Sequence, residues 1–172
     1  HRRQHQAVLH NLLGCCAFVT QDFAKAVHHF EQVVQLSGSD PRLRQNLALA
    51  LEKNEELAEA EEHWGRFFDL LAGTMIPAPE DVPRYLDGLE FESLLHLATV
   101  FTAKERWSTV LNYLNRAQRL RPDNDDVLER LFHVYNAAKQ SNNARKVLNR
   151  LRDVRKNDPQ LDLREPVLDD RV

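Results

Sequence analysis

The sequence has few glycines, few prolines, only two cysteines and no long apolar run. Five glycines and seven prolines in 172 residues offer too little turn chemistry for an all-β fold. No stretch approaches the roughly 18 consecutive apolar residues of a membrane-spanning helix, so we expect no membrane insertion. The chain begins without an initiator methionine and without an apolar run of signal-peptide type. We therefore expect a fragment of a longer protein. A targeting signal could lie in the part that is missing.

The two cysteines, Cys15 and Cys16, are adjacent in the sequence. On a helix their side chains would point about 100° apart, which is poor geometry for a disulfide bond. We therefore expect no disulfide framework, and a reducing compartment such as the cytoplasm is the favoured location.

Charge is distributed unevenly along the chain, although the net charge is only −3. Residues 1–103 carry a net charge of −7, residues 104–156 carry +7 and residues 157–172 carry −3. Two interpretations stay open: ordinary solvated helix faces, or a polarised surface that steers charged partners.

Apolar and small residues recur at positions i and i+34, as at Leu13 with Leu47 and at Leu97 with Leu131. Further pairs at this spacing are Ala26 with Ala60, Phe30 with Trp64, Leu36 with Leu70, Val110 with Ala144, Leu114 with Leu148, and Leu120 with Val154. The step from Leu47 to Leu97 is longer, because an insertion at residues 75–90 interrupts the period. A fixed period of this length indicates a repeat protein. The four units suggested are residues 7–40, 41–74, 91–124 and 125–158.

Each unit has the pattern of two amphipathic helices joined by a short polar turn. In the first unit one helical face is marked by Leu9, Leu12, Leu13, Cys16 and Ala17. Asp22 is placed to cap a second helix, and Pro41 suits the first turn of the next helix. In the third unit the second helix is predicted from about Trp107 to Leu120, and the residues around Pro122 end it.

The residues at these spacings resemble the tetratricopeptide repeat, whose first helix has a large residue followed by a small one. The corresponding pairs are Leu13-Gly14, Leu47-Ala48 and Leu97-Ala98. In the second helix of the family, a small residue is followed four positions later by a bulky one. Those residues here are Ala26 with Phe30, Ala60 with Trp64, and Ala144 with Leu148. The resemblance implies an all-α fold, a right-handed α-solenoid of stacked antiparallel helix pairs that forms a single domain over residues 1–172. Departures from the family pattern, at Val110, Phe132 and Ser141, all fall in the second half.

Two segments lie outside the period. The insertion, residues 75–90, contains Pro77, Pro79 and Pro83. These prolines predict an extended start, while the residues from about Arg84 are expected to extend the following helix backwards. The insertion is either a spacer or a loop that contacts a partner. The tail, residues 159–172, either begins the helix of another unit or covers the apolar face of the last one.

In the tetratricopeptide family the first helices line a concave groove, so the resemblance implies a groove that binds a partner. Its residues would be Val8, Asn11, Cys15, Phe18 and Val19 in the first unit, and Arg42, Gln45, Leu49, Glu52 and Lys53 in the second. The third unit would add Glu92, Leu95, Thr99, Thr102 and Ala103, and the fourth Asp126, Glu129, His133, Asn136 and Ala137. This groove is apolar at its N-terminal end and polar further on, which favours an amphipathic peptide or helix with a hydrophobic anchor.

One subclass of the family clamps the C-terminal carboxylates of chaperones with lysine, arginine and asparagine side chains. The corresponding positions here carry Asn11, Cys15, Asn46, Glu92 and His96. Only Asn46 matches, and Glu92 would repel a carboxylate. We therefore do not expect binding of the chaperone-tail type.

Reactive side chains show no pattern of a catalytic or metal site. His29 and His63 also stand at positions i and i+34, and stacked helices would place them within about 10 Å of each other. Two histidines without a carboxylate or thiolate partner make a poor metal site, so surface histidines are the better interpretation. Cys15 has no base close to it in the sequence. The basic residues of 104–156 fall mainly on second helices, and this placement argues against nucleic-acid binding.

The sequence therefore predicts a scaffold or adaptor that binds other proteins, without enzymatic activity, metal or cofactor. Two alternatives stay open. One is a regulatory or substrate-recruiting module of a larger multidomain enzyme. The other is a scaffold that forms homo-oligomers through exposed terminal units.

Overall fold

The computed structural model describes residues 2–73, 81–156, 158–162, 164 and 166, and for residues 81–87 and 162 it describes the backbone only. The chain divides into two compact units, His1–Pro79 and Glu80–Val172. We call them unit 1 and unit 2, and they are not the same as the four repeat units predicted from the sequence. Unit 1 contains α1 (Arg2–Val19), α2 (Phe23–Ser37), α3 (Pro41–Lys53) and α4 (Leu57–Gly73). Unit 2 contains α5 (Asp81–Thr102), α6 (Trp107–Leu120), α7 (Asp125–Ala137), α8 (Ser141–Val154) and the short α9 (Pro159–Asp162). Throughout the described residues the regular secondary structure is helical.

Neighbouring helices pack as successive pairs. In unit 1, α1 packs on α2 and α3 on α4, and α2 also packs on α3. In unit 2, α5 packs on α6 and α7 on α8, while α6 packs on α7 and α8 on α9. The prediction of an all-α fold of packed helix pairs is therefore confirmed. A right-handed solenoid and a single domain stay predictions.

Polar caps and one proline set several helix starts where the sequence predicts them. Asp22 accepts a hydrogen bond from the backbone N–H of Lys25 at the start of α2. Asp40 accepts one from the N–H of Arg42, and Pro41 occupies the first position of α3. Each cap satisfies a backbone donor that has no partner inside the helix. The predicted span of α6, from Trp107 to Leu120, is also confirmed.

The turn inside each helix pair has the same backbone conformation in all four pairs. Its central residue has a positive φ: 63° at Gln21, 67° at Glu55, 54° at Glu105 and 55° at Lys139. Within each unit these residues again stand at positions i and i+34. The next residue donates its N–H five positions back, as Asp22 does to Ala17 at 2.9 Å. This motif at the end of a helix usually has glycine at the residue with positive φ. Here the motif recurs with the repeat period although none of the four residues is glycine.

Small residues at the helix crossings let the pairs pack closely. Ala26 and Ala60 are fully buried on α2 and α4, next to the buried Phe30 and Trp64. At Gly14 on α1 a Cβ atom would lie only 2.6 Å from Cε1 of Phe30. A side chain at position 14 would therefore force the buried Phe30 ring to shift.

Of the apolar face predicted on α1, only Ala17 is buried. Leu9, Leu12 and Leu13 are 55%, 57% and 41% exposed, and Cys16 is exposed as well. The buried residues of α1 are Ala7, Gly14 and Ala17. Because α1 packs on α2 through small residues, its larger apolar side chains are left at the surface.

The insertion becomes helical earlier than its prolines suggest. The predicted backward extension of the following helix is confirmed, since α5 begins at Asp81. The prediction of extended backbone at Pro83 is wrong, because this proline lies in the first turn of α5. The first N–H groups of a helix have no intrahelical partner, so proline is tolerated there. Residues 74–80, which include Pro77 and Pro79, lie outside the described residues.

The tail packs on the last helix pair at the residues that are described. Leu161 of α9 is buried at 1% exposure, and its carbonyl accepts hydrogen bonds from the Arg152 side chain on α8. The tail thus covers part of unit 2, and residues 163, 165 and 167–172 lie outside the described chain. Among the residues described, none of the helices combines the length and the apolar character that crossing a membrane requires.

Candidate functional site

Unit 1 contains an apolar cavity between α1 and α3, which we call the α1–α3 cavity. Its volume is about 170 Å³. Its lining residues are Cys15, Phe18 and Val19 of α1, Phe30 of α2, and Asn46 and Leu49 of α3. A cavity of about 150 Å³ is large enough to hold benzene. The α1–α3 cavity therefore has room for one large apolar side chain.

The walls of this cavity are held by the helix pair beneath them. The Phe18 ring contacts the Phe23 ring edge to face, with centroids 5.5 Å apart. Phe30 is buried at 3% exposure and supports the floor of the cavity. Val19 is 80% exposed at the rim, where a bound side chain would cover it. The lining is thus apolar and partly fixed before any ligand arrives, which lowers the entropic cost of binding.

A second, wider cavity of about 410 Å³ lies towards the N-terminal end of α1. Val8, Asn11 and Leu12 are among its lining residues. The Asn46 amide donates a hydrogen bond to Oδ1 of Asn11 at 3.5 Å, and this contact links the residues of the two cavities. An asparagine amide both donates and accepts, so this pair can bond the backbone of a bound peptide whatever its sequence.

The structure brings together several residues of the predicted groove in unit 1. Cys15, Phe18, Val19 and Leu49 line one cavity, and Val8 and Asn11 line the other. These six residues lie on the same side of α1 and α3. Their arrangement forms what we call the α1–α3 groove.

Other predicted groove residues of α3 do not contribute to these cavities. The Glu52 carboxylate accepts a hydrogen bond from Nε1 of Trp64 at 2.6 Å and thereby ties α3 to α4. The Arg42 guanidinium pairs with Asp40 at 2.7 Å, and this hydrogen bond lowers the pKa of Asp40. Gln45 is half-buried and Lys53 is exposed.

Unit 2 differs at the position that corresponds to the α1–α3 cavity. Thr99 and Arg130 occupy the positions in its repeats that Cys15 and Asn46 occupy in unit 1. Nη1 of Arg130 donates to Oγ1 of Thr99 at 2.8 Å, and Nε of Arg130 pairs with Asp126 at 3.0 Å. Where unit 1 has an apolar cavity, unit 2 has a polar bridge between α5 and α7.

Glu129, a predicted groove residue of unit 2, is held by arginines. Its carboxylate pairs with Arg164 of the tail and with Arg155, each at 2.8 Å. The hydrogen bond from Arg164, followed by that from Arg155, lowers the pKa of Glu129 below its usual 4.5. This carboxylate joins α7 to α8 and to the tail, which leaves it little freedom to contact a ligand.

The remaining predicted residues of unit 2 are spread over α5 and α7. Glu92 and Thr99 are exposed and Leu95 is half-buried on α5. His133 is exposed and Asn136 is half-buried on α7.

The histidines of unit 1 have partners other than those expected from the spacing. Nδ1 of His10 lies 3.1 Å from Nδ1 of His29, and Nη1 of Arg44 donates to Nδ1 of His63 at 3.2 Å. Burial, together with the charge of His10, lowers the pKa of His29 below its usual 6.5. Burial and the charge of Arg44 lower the pKa of His63 in the same way. Within the described part of the chain, no three His, Cys, Asp or Glu side chains are grouped so that they could hold a metal ion.

Two lining residues of the α1–α3 cavity were not among the predicted groove residues. Phe30 is the bulky residue of a second helix, and the sequence marks it only as core. Asn46 is the single match to the carboxylate-clamp positions, and it lies in the cavity wall without the basic residues that such a clamp needs. Asn46 lies one helical turn after Arg42, a predicted groove residue, and this spacing could have placed it on the groove side of α3.

Comparison of the chain with models of protein families and with curated proteins finds no match.

Proposed function

We propose that this chain is a protein-binding scaffold of the tetratricopeptide type and that it holds an apolar side chain of a partner in the α1–α3 groove. The partner is a peptide segment or an amphipathic helix. The observation that carries the proposal is the apolar cavity of about 170 Å³, four of whose lining residues belong to the predicted groove.

The chemistry of the groove favours binding over catalysis. Cys15 is an exposed free thiol in an apolar wall, and the residues that line the cavity with it include no histidine, lysine or arginine. A nucleophilic cysteine needs a base or a cation beside it, and this wall supplies neither. An apolar cavity beside an amide pair instead suits an anchor side chain followed by peptide backbone.

The proposal is tested by selecting ligands from a library of random peptides displayed on phage. Selected peptides should share one large apolar residue. Their affinity should fall at least about tenfold for the Phe18→Glu/Leu49→Glu variant, because charges would enter the cavity. The matched control is Thr102→Glu/His133→Glu, which changes the corresponding positions of unit 2. This control should bind as the unchanged chain does.

The adjacent cysteines provide a second readout. Cys15 lines the cavity and Cys16 does not. A bound peptide should protect Cys15, but not Cys16, from alkylation by a maleimide, as measured by mass spectrometry. Equal protection of the two thiols, or unchanged binding by the Phe18→Glu/Leu49→Glu variant, would remove the α1–α3 groove as the site.

Two other functions remain proposals of a different class. The chain could serve as a regulatory or substrate-recruiting module whose catalytic domain lies elsewhere in a longer protein, and the same peptide test would then identify the recruited sequence. Alternatively, the exposed apolar side chains of α1 favour a self-associating scaffold. Sedimentation of the purified chain distinguishes this case, because a self-associating chain would form oligomers without added peptide.

A further inference from the structure

Unit 2 contains a polar cleft between α6 and α8, which we call the α6–α8 cleft. Its volume is about 210 Å³, which is room for about seven water molecules at roughly 30 Å³ each. The lining residues are Gln118 of α6, Tyr135 of α7, and Asn143, Lys146, Val147 and Arg150 of α8. Val147 is buried, whereas Lys146 and Arg150 are exposed. Two cations therefore stand at the mouth of a cleft that is otherwise lined mainly by neutral polar groups.

Several hydrogen-bond donors of the cleft have no partner in the part of the chain that the structure describes. The Lys146 ammonium forms no ion pair there, and the Gln118 side chain forms no hydrogen bond. The Arg150 guanidinium pairs with Asp123 through Nη2 alone. The other polar lining groups are bonded, the Tyr135 hydroxyl to Asn115 at 3.3 Å and the Asn143 amide to Gln140 at 2.9 Å. The free donors thus come from Lys146, Gln118 and part of Arg150.

At the corresponding positions of unit 1 the charges cancel. Glu62 and Arg66 stand there in place of Lys146 and Arg150, and they form a salt bridge at 2.8 Å. In α8 a lysine replaces the glutamate, so two like charges lie one helical turn apart, which destabilises a helix. An anion bound between the two cations would remove this repulsion. The side chains of α8 are therefore suited to an anionic ligand, and those of α4 are not.

The charges around the cleft are mainly positive. Arg119 and Arg145 follow Gln118 on α6 and precede Lys146 on α8, and within the described residues neither has an ion pair. The acidic residues nearby are Asp123, which pairs with Arg150, and the exposed Asp153 one turn further along α8. Residues 104–156 carry a net charge of +7. The field of this surface attracts an anionic partner.

The described part of the tail lies on another side of α8. The Leu161 carbonyl accepts hydrogen bonds from Arg152. Arg152 follows Arg150 by two residues, and two residues rotate an α-helix by about 200°. The side chain that holds the tail therefore points away from the cleft.

The donors favour a phosphoryl group over a carboxylate. A phosphorylated serine has three strong acceptor oxygens and a charge close to −2 at pH 7, whereas glutamate has two oxygens and a single charge. Lys146, Arg150 and Gln118 match three oxygens, and the two cations make the hydrogen bonds charge-assisted. The amide oxygens of Gln118 and Asn143 can accept the backbone N–H of a peptide. We propose that the α6–α8 cleft binds a phosphorylated serine or threonine side chain of a partner peptide. This site is separate from the α1–α3 groove and takes a different ligand.

The test uses the 172-residue chain and three short peptides of one neutral sequence, whose central residue is serine, glutamate or phosphoserine. Calorimetry at about pH 7 should show that the phosphoserine peptide binds at least about tenfold more tightly than the glutamate peptide. The serine peptide should not bind measurably. Equal affinity for the phosphoserine and glutamate peptides, or binding of neither, overturns the proposal. Inorganic phosphate that binds as tightly as the phosphoserine peptide would show a site for a free anion, which also refutes it.

A matched pair of variants locates the binding site. Lys146→Gln and Arg145→Gln remove the same charge from adjacent exposed positions of α8, and of the two residues only Lys146 lines the cleft. Lys146→Gln should weaken binding of the phosphoserine peptide at least about tenfold, whereas Arg145→Gln should retain it within about threefold. Equal losses would mean general attraction to a basic surface and refute the proposal. Tighter binding by an Asp169→Asn/Asp170→Asn variant would make the acidic tail the occupant of the cleft, and this result would refute it as well.

Discussion

Within unit 1, the helices α1 and α3 make one kind of contact. Within unit 2, the helices α5 and α7 make a different one at the equivalent positions. In unit 1, Cys15 and Asn46 border an apolar cavity. In unit 2, the corresponding Thr99 and Arg130 form a hydrogen bond at 2.8 Å that Asp126 reinforces. The same helix pairs, with the same turns, thus support an open apolar surface in one unit and a closed polar one in the other. The backbone repeat determines where such a surface lies, and a few side chains determine whether it is open.

The two units also differ in what covers their helices. Leu161 of the tail is buried against unit 2, where Arg164 pairs with Glu129. The outer side of α1 in unit 1 leaves Leu9 and Leu13 exposed. An apolar surface without cover is a candidate interface, whereas an ion-paired cover stabilises the unit itself. We therefore expect binding of apolar ligands to depend chiefly on unit 1.

The largest expected effect comes from giving unit 1 the polar bridge of unit 2. The triple variant Cys15→Thr, Arg42→Asp and Asn46→Arg reproduces the arrangement of Thr99, Asp126 and Arg130. Its new guanidinium should fill the α1–α3 cavity and weaken the binding of selected peptides at least tenfold, about 1.4 kcal/mol. Arg42→Asp alone should bind normally, because Arg42 does not line the cavity. Full affinity of the triple variant would show that the cavity is not the anchor site.

A second effect of similar size tests the close packing of unit 1. Gly14→Ala should destabilise unit 1 by about 1–3 kcal/mol, since its Cβ would overlap the buried Phe30 ring. Gly65→Ala on α4 is the matched control, because nothing lies within 4 Å of its Cβ position. The control should stabilise the protein by about 0.5–1 kcal/mol through helix propensity.

These two glycine variants are compared by urea unfolding. The chain has one tryptophan in each unit, so a Trp107→Phe background makes Trp64 fluorescence report on unit 1 alone. Equal effects of the two substitutions would show that Phe30 does not restrict position 14.

The third effect concerns the cover of unit 2. Glu129→Gln removes the charge that Arg155 and Arg164 share, and it should cost about 1–2 kcal/mol, less at high salt. Hydrogen exchange should accelerate in α9 and the C-terminal part of α8, while α1–α4 stay unchanged. Unchanged exchange in α9 would mean that Leu161 alone holds the tail.

The helix pairs of this fold could be predicted from the sequence, but the side of α1 that forms the core could not. The repeat period, the cap at Asp22 and the proline at position 41 mark the helices directly. Apolar periodicity failed on α1 because its large apolar residues are exposed, whereas its buried residues are the small Ala7, Gly14 and Ala17. The buried side includes the close contact between Gly14 and Phe30, two residues that are distant in the sequence, and no local pattern marks it.

Much of the candidate site in unit 1 was predictable, whereas the closure of unit 2 was not. Val19 and Leu49 follow from the register of the first helices. Glu52 and Glu129 accept hydrogen bonds from Trp64 and Arg164, which lie 12 and 35 residues away in the sequence. No local sequence pattern indicates partners at such distances. The turns show the same limit, because glutamine, glutamate and lysine occupy positions where glycine is the usual signal.

The smallest expected effect is a difference between the two units in how their stability depends on pH. The pKa of His63 is lowered below its usual 6.5 by burial and by Arg44, so on acidification the unfolded chain binds the proton first. The stability that neutral His63 contributes to unit 1 is therefore present above pH 6.5 and is lost as the pH falls below it. The lowered pKa of Glu129 affects the stability of unit 2 only below pH 4.5, the usual pKa of this group.

His63→Asn keeps an acceptor for Arg44 but does not titrate. It should therefore flatten the pH dependence of the unfolding free energy, followed by Trp64 fluorescence, between pH 6.5 and 4.5. His29 titrates in the same direction, and the slope that remains in this variant should disappear when His29 is also replaced by asparagine. An unchanged slope in the double variant would show that neither histidine links unit 1 to pH.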